Sequence, residues 1–285
     1  MTVMETVADN RTSRKARPRH YLMCPPAYFS VTYAINPWMN PDVPVNHGLA
    51  EIQWDVLRHT YMSLGHAVDL IEPEPDLPDM VFAANGGLVV GGRAYSAKFR
   101  YEQRQAESQA YRNWLKRAEI TAVEAIETNE GEGDFLTLGK MVLAGSGFRT
   151  SIAAHIEAAD AIDRPVVSLE LVDPHFYHLD TCLAVLDDGN GPAPAEIAYY
   201  PAAFSRHSQR TLHDLFPTAI ICGEADALVL GLNAVSDGYN VVLPAAAATF
   251  GEQLRGRGYN PVPVNLGELL KAGGSVKCCT LELHA

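Results

Sequence analysis

Cysteine is scarce and unpatterned in this chain: Cys24, Cys182, Cys222, Cys278 and Cys279 make five, an odd number with no recurring spacing. That argues against a disulfide framework and for reduced thiols in a cytosolic protein. No C-x-x-C pair and no histidine-rich tract offers a zinc site, and no other cofactor motif is present. No apolar run approaches the roughly 20 residues that a membrane-spanning helix needs. Positive charge is also in short supply, with 22 Lys and Arg against 34 Asp and Glu, a net charge of −12. Such a surface repels phosphate backbones, so nucleic acid is excluded as an expected partner. A carboxylate-lined cleft would instead attract a small cation. The first residues are polar and end in Arg14, Lys15, Arg17 and Arg19 with no apolar segment behind them, unlike a secretory signal. Residues 1–18 are expected to form a flexible tail. No interior stretch reads as a linker, so 19–285 is expected to be one domain, with a homo-oligomer left open.

What is present is a long α/β alternation. Hydrophobic residues are 47% of the 285, enough for a large core. Leu49, Ile52, Val56, Leu57 and Leu64 recur at helical spacing and predict a helix over 47–65 with that face inward. Further helices are expected near 101–117, 151–160, 203–215 and 247–257. Short strands fall between them, including 80–85, 86–90, 179–186 and 227–230. The order of helix, strand and strand pair cycles about five times at a period of roughly 50 residues, which predicts radial or solenoidal repetition.

Polar residues gather where strands end. Near the carboxyl terminus stands Gly273-Gly274-Ser275-Val276-Lys277-Cys278-Cys279-Thr280. A glycine pair lets the backbone bend sharply, and a cysteine on the bend can point into a cavity. Its thiol becomes nucleophilic only as thiolate, which requires positive charge nearby. In Tyr177-His178-Leu179-Asp180-Thr181, a period of two places His178 and Asp180 on one face of a strand, suited to acid–base work; His175 competes for that role. Asn129-Glu130-Gly131-Glu132-Gly133-Asp134 crowds three carboxylates, which would repel one another when buried unless a cation such as a guanidinium sits among them. Asn36, Asn85 and Asn233 read either as turn formers or as amide acceptors for amidino N–H groups. Arg100 and Arg104 stand one helical turn apart and offer a fork to a carboxylate. A guanidino amino acid matches the whole set.

In this order the motifs resemble the guanidino-modifying enzymes, which include arginine deiminases, dimethylarginine dimethylaminohydrolases, amidinotransferases and arginine dihydrolases. The resemblance covers about Arg19 to Leu283. It implies a five-bladed α/β propeller of ββαβ-type repeats around a central channel. It also implies a cysteine-dependent amidine hydrolase without cofactor, with Cys278 as nucleophile, His178 as general acid and base, and Asp180 against the substrate. Glu130 best matches the catalytic glutamate and Asp134 ends that motif, with Glu132 as the alternative. Phe82-Ala83-Ala84-Asn85, with Asn where deiminases and dimethylaminohydrolases carry Asp, looks most like the dihydrolase branch, in which arginine is taken to ornithine, ammonia and carbon dioxide. Dimethylaminohydrolase, amidinotransferase and a non-catalytic arginine-binding protein follow as alternatives.

Overall fold

The computed structural model describes residues 14–191 and 193–284. Five ββαβ units are arranged in turn along it. Strand Gly87–Val90 pairs antiparallel with Arg93–Ser96, helix Glu107–Arg117 crosses over, and Thr121–Val123 returns parallel. The same path is taken by Phe135–Leu138, Met141–Ser146, helix Ile152–Ile162 and Val166–Glu170. It recurs in Leu183–Asp187, Glu196–Tyr199, helix Arg206–Leu215 and Ile220–Ile221. It recurs again in Val235–Ser236, Asn240–Pro244, helix Ala248–Gly256 and Asn260–Val264. The fifth unit joins the two ends of the chain. Its first strand is Leu281–His284, its second His20–Met23, its helix His47–Ser63 and its third strand Ala67–Leu70. Leu281–His284 also runs parallel to Gly87–Val90, so two units fuse into one six-stranded sheet while the other three stay separate. The parallel returns need crossovers, and the helices supply them. This is the five-bladed α/β propeller that the resemblance implies.

Local chemistry sets the helix starts. Asn46, Ser151 and Ser205 each accept the backbone N–H three residues on, from Leu49, Ala154 and Ser208. The first helix lies over 47–63 as expected, but its buried face differs. Ala50, Gln53, Trp54, Leu57 and Tyr61 point inward, whereas Leu49, Ile52 and Val56 are exposed. Trp54 and Tyr61, with Ala50 and Leu57, pack into one core cluster on that face.

Other expectations change as well. The run 80–85 is two 3-10 turns, Pro78–Val81 and Ala83–Gly86, and 227–230 begins in a short helix, Glu224–Ala227. The helix over 101–117 breaks at Ala106, between Glu102–Gln105 and Glu107–Arg117. Of the expected tail, residues 1–13 lie outside the described residues. Residues 14–18 are docked rather than loose. Arg14 pairs with Glu196 at 2.5 Å and lies 3.7 Å over the Tyr259 ring. Arg17 pairs with Asp188, and its N–H donates to the Asp237 carbonyl. Among the described residues no helix is long and apolar enough to cross a membrane.

Candidate active site

Each unit's first strand is entered through a tight turn. Three are 3-10 turns, Ala83–Gly86, Gly131–Gly133 and Leu179–Thr181; the other two are the turns at 230–233 and 276–279. These five turns are linked into a closed ring. Asn85 Nδ2 donates to the Glu130 carbonyl at 3.1 Å. Asp134 Oδ1 accepts the Leu179 N–H at 3.1 Å. Asn233 Nδ2 donates to the Asp180 carbonyl at 3.1 Å, and Asn233 Oδ1 accepts the Cys278 N–H at 3.1 Å. The Cys278 carbonyl closes the ring by accepting the Ala84 N–H at 3.0 Å. Buried backbone groups at strand starts need such partners, and here the partners are the polar residues of the motifs.

Within the ring, Cys278 Sγ donates to Asp180 Oδ2 at 3.3 Å and accepts from Asn233 Nδ2 at 3.1 Å. Burial, then the Asp180 carboxylate, push the Cys278 thiol well above its usual range. Burial also lifts Asp180 to about 7, against the pull of Lys277, the Cys278 S–H and Asn233. A cation arriving between them would favour both ionised forms. Asp180 Oδ1 has no hydrogen-bond partner among the described residues, and the same holds for His178 Nδ1 and Asp79 Oδ1. Cys279, fully buried, has its thiol raised by burial and makes no contact with Asp180 comparable to that of Cys278.

His178 Nε2 is 2.8 Å from Glu130 Oε2, and Arg149 Nη1 donates to the same oxygen at 2.7 Å. Burial alone would raise the Glu130 carboxyl; Arg149 and His178 instead hold it well below its usual range. The carboxylate beside His178 is therefore Glu130 and not Asp180. The expected shared strand face is replaced by the 3-10 turn Leu179–Thr181, which sends Asp180 to the cysteine. Tyr177 OH donates to the Gly273 carbonyl at 2.8 Å and ties the histidine turn to the glycine bend.

The glycines are needed for contact. Gly131 has φ +55°, and a Cβ there would lie 2.6 Å from the Gly87 nitrogen. A Cβ on Gly133 would lie 2.3 Å from Asn85 Nδ2 and 3.1 Å from His178 Nδ1.

Several expected binding residues are engaged within the protein. Asn36 donates to the Ala272 carbonyl at 3.0 Å and accepts the Trp38 N–H at 2.9 Å, a turn-forming role. Asn85 Oδ1 accepts Arg104 Nη1 at 2.8 Å. Arg104 is buried and forked onto Glu107 at 2.9 and 2.8 Å, so its guanidinium is already held. The Arg100 side chain is exposed. Asp134 carries Leu179 and Thr150, the latter at 2.6 Å, while burial lifts its carboxyl to about 6. Glu132 faces away, paired with Lys277 at 2.6 Å and His284 at 3.3 Å, so of the two glutamates it is Glu130 that lies beside His178. His175 is exposed beside Asp173. Sequence reasoning missed Arg149 and Asp79. Arg149 donates to the Ile35 carbonyl at 2.9 Å and lies 4.7 Å from both the Tyr101 and Tyr177 rings. Its only signal was a charge just past a strand end, in Gly147-Phe148-Arg149-Thr150. Asp79 accepts from Tyr33 OH at 2.9 Å.

No protein-family model matches the chain. It is 57% identical over 271 residues to an N(G),N(G)-dimethylarginine dimethylaminohydrolase of Mycobacterium tuberculosis, covering 95% of this chain and 88% of that one. The chain belongs to the guanidino-modifying enzymes. Like the dimethylaminohydrolases and arginine dihydrolases among them, it is a hydrolase of C–N bonds other than peptide bonds. A bifunctional arginine dihydrolase/ornithine cyclodeaminase of Synechocystis sp. is 37% identical over 92% of this chain, which spans 37% of its length. The crystal structure of that protein's N-terminal domain, a mutant bound to substrate, superposes with a TM-score of 0.87 at 36% identity, covering 93% of this chain and 98% of that one. Another structure of the domain holds a covalent reaction intermediate. Among these guanidino-modifying relatives the sequence expectation ranked dihydrolase first. The full-length relative at 57% identity favours the dimethylaminohydrolase instead.

Proposed function

We propose that the protein hydrolyses the guanidinium group of N-methylated arginine to citrulline through a covalent cysteine adduct. The observation that carries the cysteine chemistry is Cys278 Sγ 3.3 Å from Asp180 Oδ2, with Asp180 Oδ1 unpartnered among the described residues, and the relative at 57% identity supports methylated arginine as the substrate. A planar cation placed there satisfies the carboxylate and favours the thiolate, and the thiol proton passes to His178. The thiolate of Cys278 attacks the guanidinium carbon. His178, oriented by Glu130, passes a proton from Nδ1 to the departing methylated amine, the C–N bond breaks, and an S-alkylthiouronium remains. Water then attacks that carbon and gives a proton to His178. Collapse of the adduct breaks the C–S bond, returns the thiolate and frees the ureido product. The five free cysteines fit a reducing compartment.

Asn85 supports a second reading. An amide leaves that wall of the site uncharged, so a neutral urea is less disfavoured than beside a carboxylate. A second round on arginine would consume another water and give ornithine, two ammonia and carbon dioxide. Mass spectrometry of products from arginine and dimethylarginine in parallel separates the two. Dimethylamine with citrulline supports the first reading, ornithine from arginine the second, and no product from either substrate overturns both.

A further inference from the structure

The turn at 230–233 carries one polar side chain, Asn233, which is fully buried and which the steps above do not use. The turn is held rigidly. Leu230 has φ +53°, a left-handed conformation uncommon for a leucine, and the Asn233 N–H donates to the Leu230 carbonyl at 2.9 Å. A Cβ on Gly231 would lie 2.6 Å from the Ala247 Cβ and 2.7 Å from the Asp226 carbonyl oxygen. Strain of this kind persists where the surrounding structure fixes what the turn presents. Here it presents an amide to the nucleophile. The Asn233 carbonyl accepts the Lys277 N–H at 3.3 Å, and Oδ1 accepts the Cys278 N–H at 3.1 Å. Nδ2 donates to the Asp180 carbonyl and to Cys278 Sγ, each at 3.1 Å. Two backbone groups dictate this orientation. Exchanging Oδ1 and Nδ2 would set donor against the Cys278 N–H and acceptor against the Asp180 carbonyl. Both Nδ2 hydrogens are engaged, so the amide has no donor left for a substrate.

We infer that Asn233 is a catalytic residue: its Nδ2–H stabilises the Cys278 sulfur whenever that sulfur carries negative charge, and it does not bind the substrate. This rests on the cysteine-hydrolase reading above. The sulfur has two side-chain partners of opposite character. As a thiol it donates to Asp180 Oδ2 at 3.3 Å and accepts from Asn233. When the proton passes to His178, the carboxylate and the sulfur repel each other, whereas the N–H···S bond strengthens because its acceptor is now charged. The contact serves twice in one turnover. It faces the thiolate before its electron pair forms the C–S bond. It faces the same sulfur again when that bond breaks and the pair returns.

The test has two measurements on the full chain, made with whichever of arginine and dimethylarginine the wild type turns over. The first is kcat for the wild type, Asn233→Ala and Asn233→Asp. Both variants should lose about 10²-fold, since alanine removes the donor and aspartate aims an oxygen at the sulfur while keeping the acceptor for the Cys278 N–H. The second is the Kd of that substrate, by calorimetry, for Cys278→Ser alone and combined with Asn233→Ala. The two values should agree within about threefold, because the amide acts on the sulfur and not on the substrate. A tenfold or greater loss of affinity in the combined variant would make Asn233 a substrate ligand and overturn the proposal. A merely structural amide predicts a lowered Tm with wild-type kcat at temperatures where the variants are folded, and that also overturns it. Where Asn233→Ala does not fold, Asn233→Asp takes its place in both measurements; if neither folds, the amide is structural and the proposal falls. A wild type without turnover on either substrate would instead defeat the hydrolase reading itself, a distinguishable failure.

Discussion

Cys278 and Cys279 are neighbours with opposite surroundings, and single substitutions separate them. Cys278→Ser should abolish turnover while leaving thermal stability nearly unchanged, because a hydroxyl can still donate to Asp180. Cys279→Ser should keep turnover and lose about 1–3 kcal/mol of stability by burying a hydroxyl among apolar neighbours. Steady-state rates and denaturant melts of both variants check this, and the reverse pattern would mean the nucleophile is misassigned. Arg149 invites a second test. Its planar fork reaches Glu130 and Ile35 at once and stacks on two tyrosine rings. Lysine keeps the charge and loses the fork. Arg149→Lys should cut kcat roughly 10²-fold with a wild-type circular dichroism spectrum, since Glu130 then orients His178 less well. Cys278, His178 and Asp180 were legible because their neighbours in sequence are also chemical groups at fixed short spacings. Arg149 was not: one arginine after a strand has no spacing, and its partners lie 19 and 114 residues away.

The elements that matter most are five short turns, each a few residues long. Their polar side chains hold one another, so a change in one should be felt in its neighbour. Gly133→Ala tests this. The new methyl would collide with the Asn85 amide and crowd the His178 ring. Both belong to other turns, so the expected result is a loss of turnover on the order of 10²-fold at a stability cost of only about 1–3 kcal/mol. An alanine variant with wild-type rates would mean that the turns are not coupled as described. Helices and strands were readable from apolar periodicity, but the turns were not. Phe82-Ala83-Ala84-Asn85 is apolar enough to look like strand, and Ala227-Leu228-Val229-Leu230 likewise. Neither finds a partner strand, and a 3-10 turn or a short helix satisfies their backbone locally. The face of the first helix was misjudged for a related reason. Periodicity locates a stripe, but Trp54 and Tyr61 lie beside that stripe and are the side chains buried in the core.

At the scale of the whole molecule, the excess of acid seen in composition has a counterpart inside. Asp79, Glu107, Glu130, Glu132, Asp134 and Asp180 are buried around the channel, against buried Arg104, Arg149 and half-buried Lys277. Such an interior is short of positive charge until a cation enters it. The consequence is a pH dependence with a definite sign. Burial raises Asp134 to about 6 and Asp180 to about 7, so between roughly pH 4 and 7 the folded chain holds protons that the unfolded chain has released. These two groups therefore make stability fall as pH rises through that window. A bound guanidinium reverses this at Asp180, because it favours the ionised form. Below about pH 7, binding must first remove the Asp180 proton, and affinity should weaken by up to about tenfold per pH unit. Differential scanning fluorimetry with arginine should thus give a larger rise in Tm at pH 8 than at pH 5.5, although arginine is cationic at both. Asp180→Asn should flatten the difference, since an amide has no proton to lose. An equal rise at the two pH values in the wild type would contradict a guanidinium seated on that carboxylate, while no rise at either would show that arginine does not enter the channel.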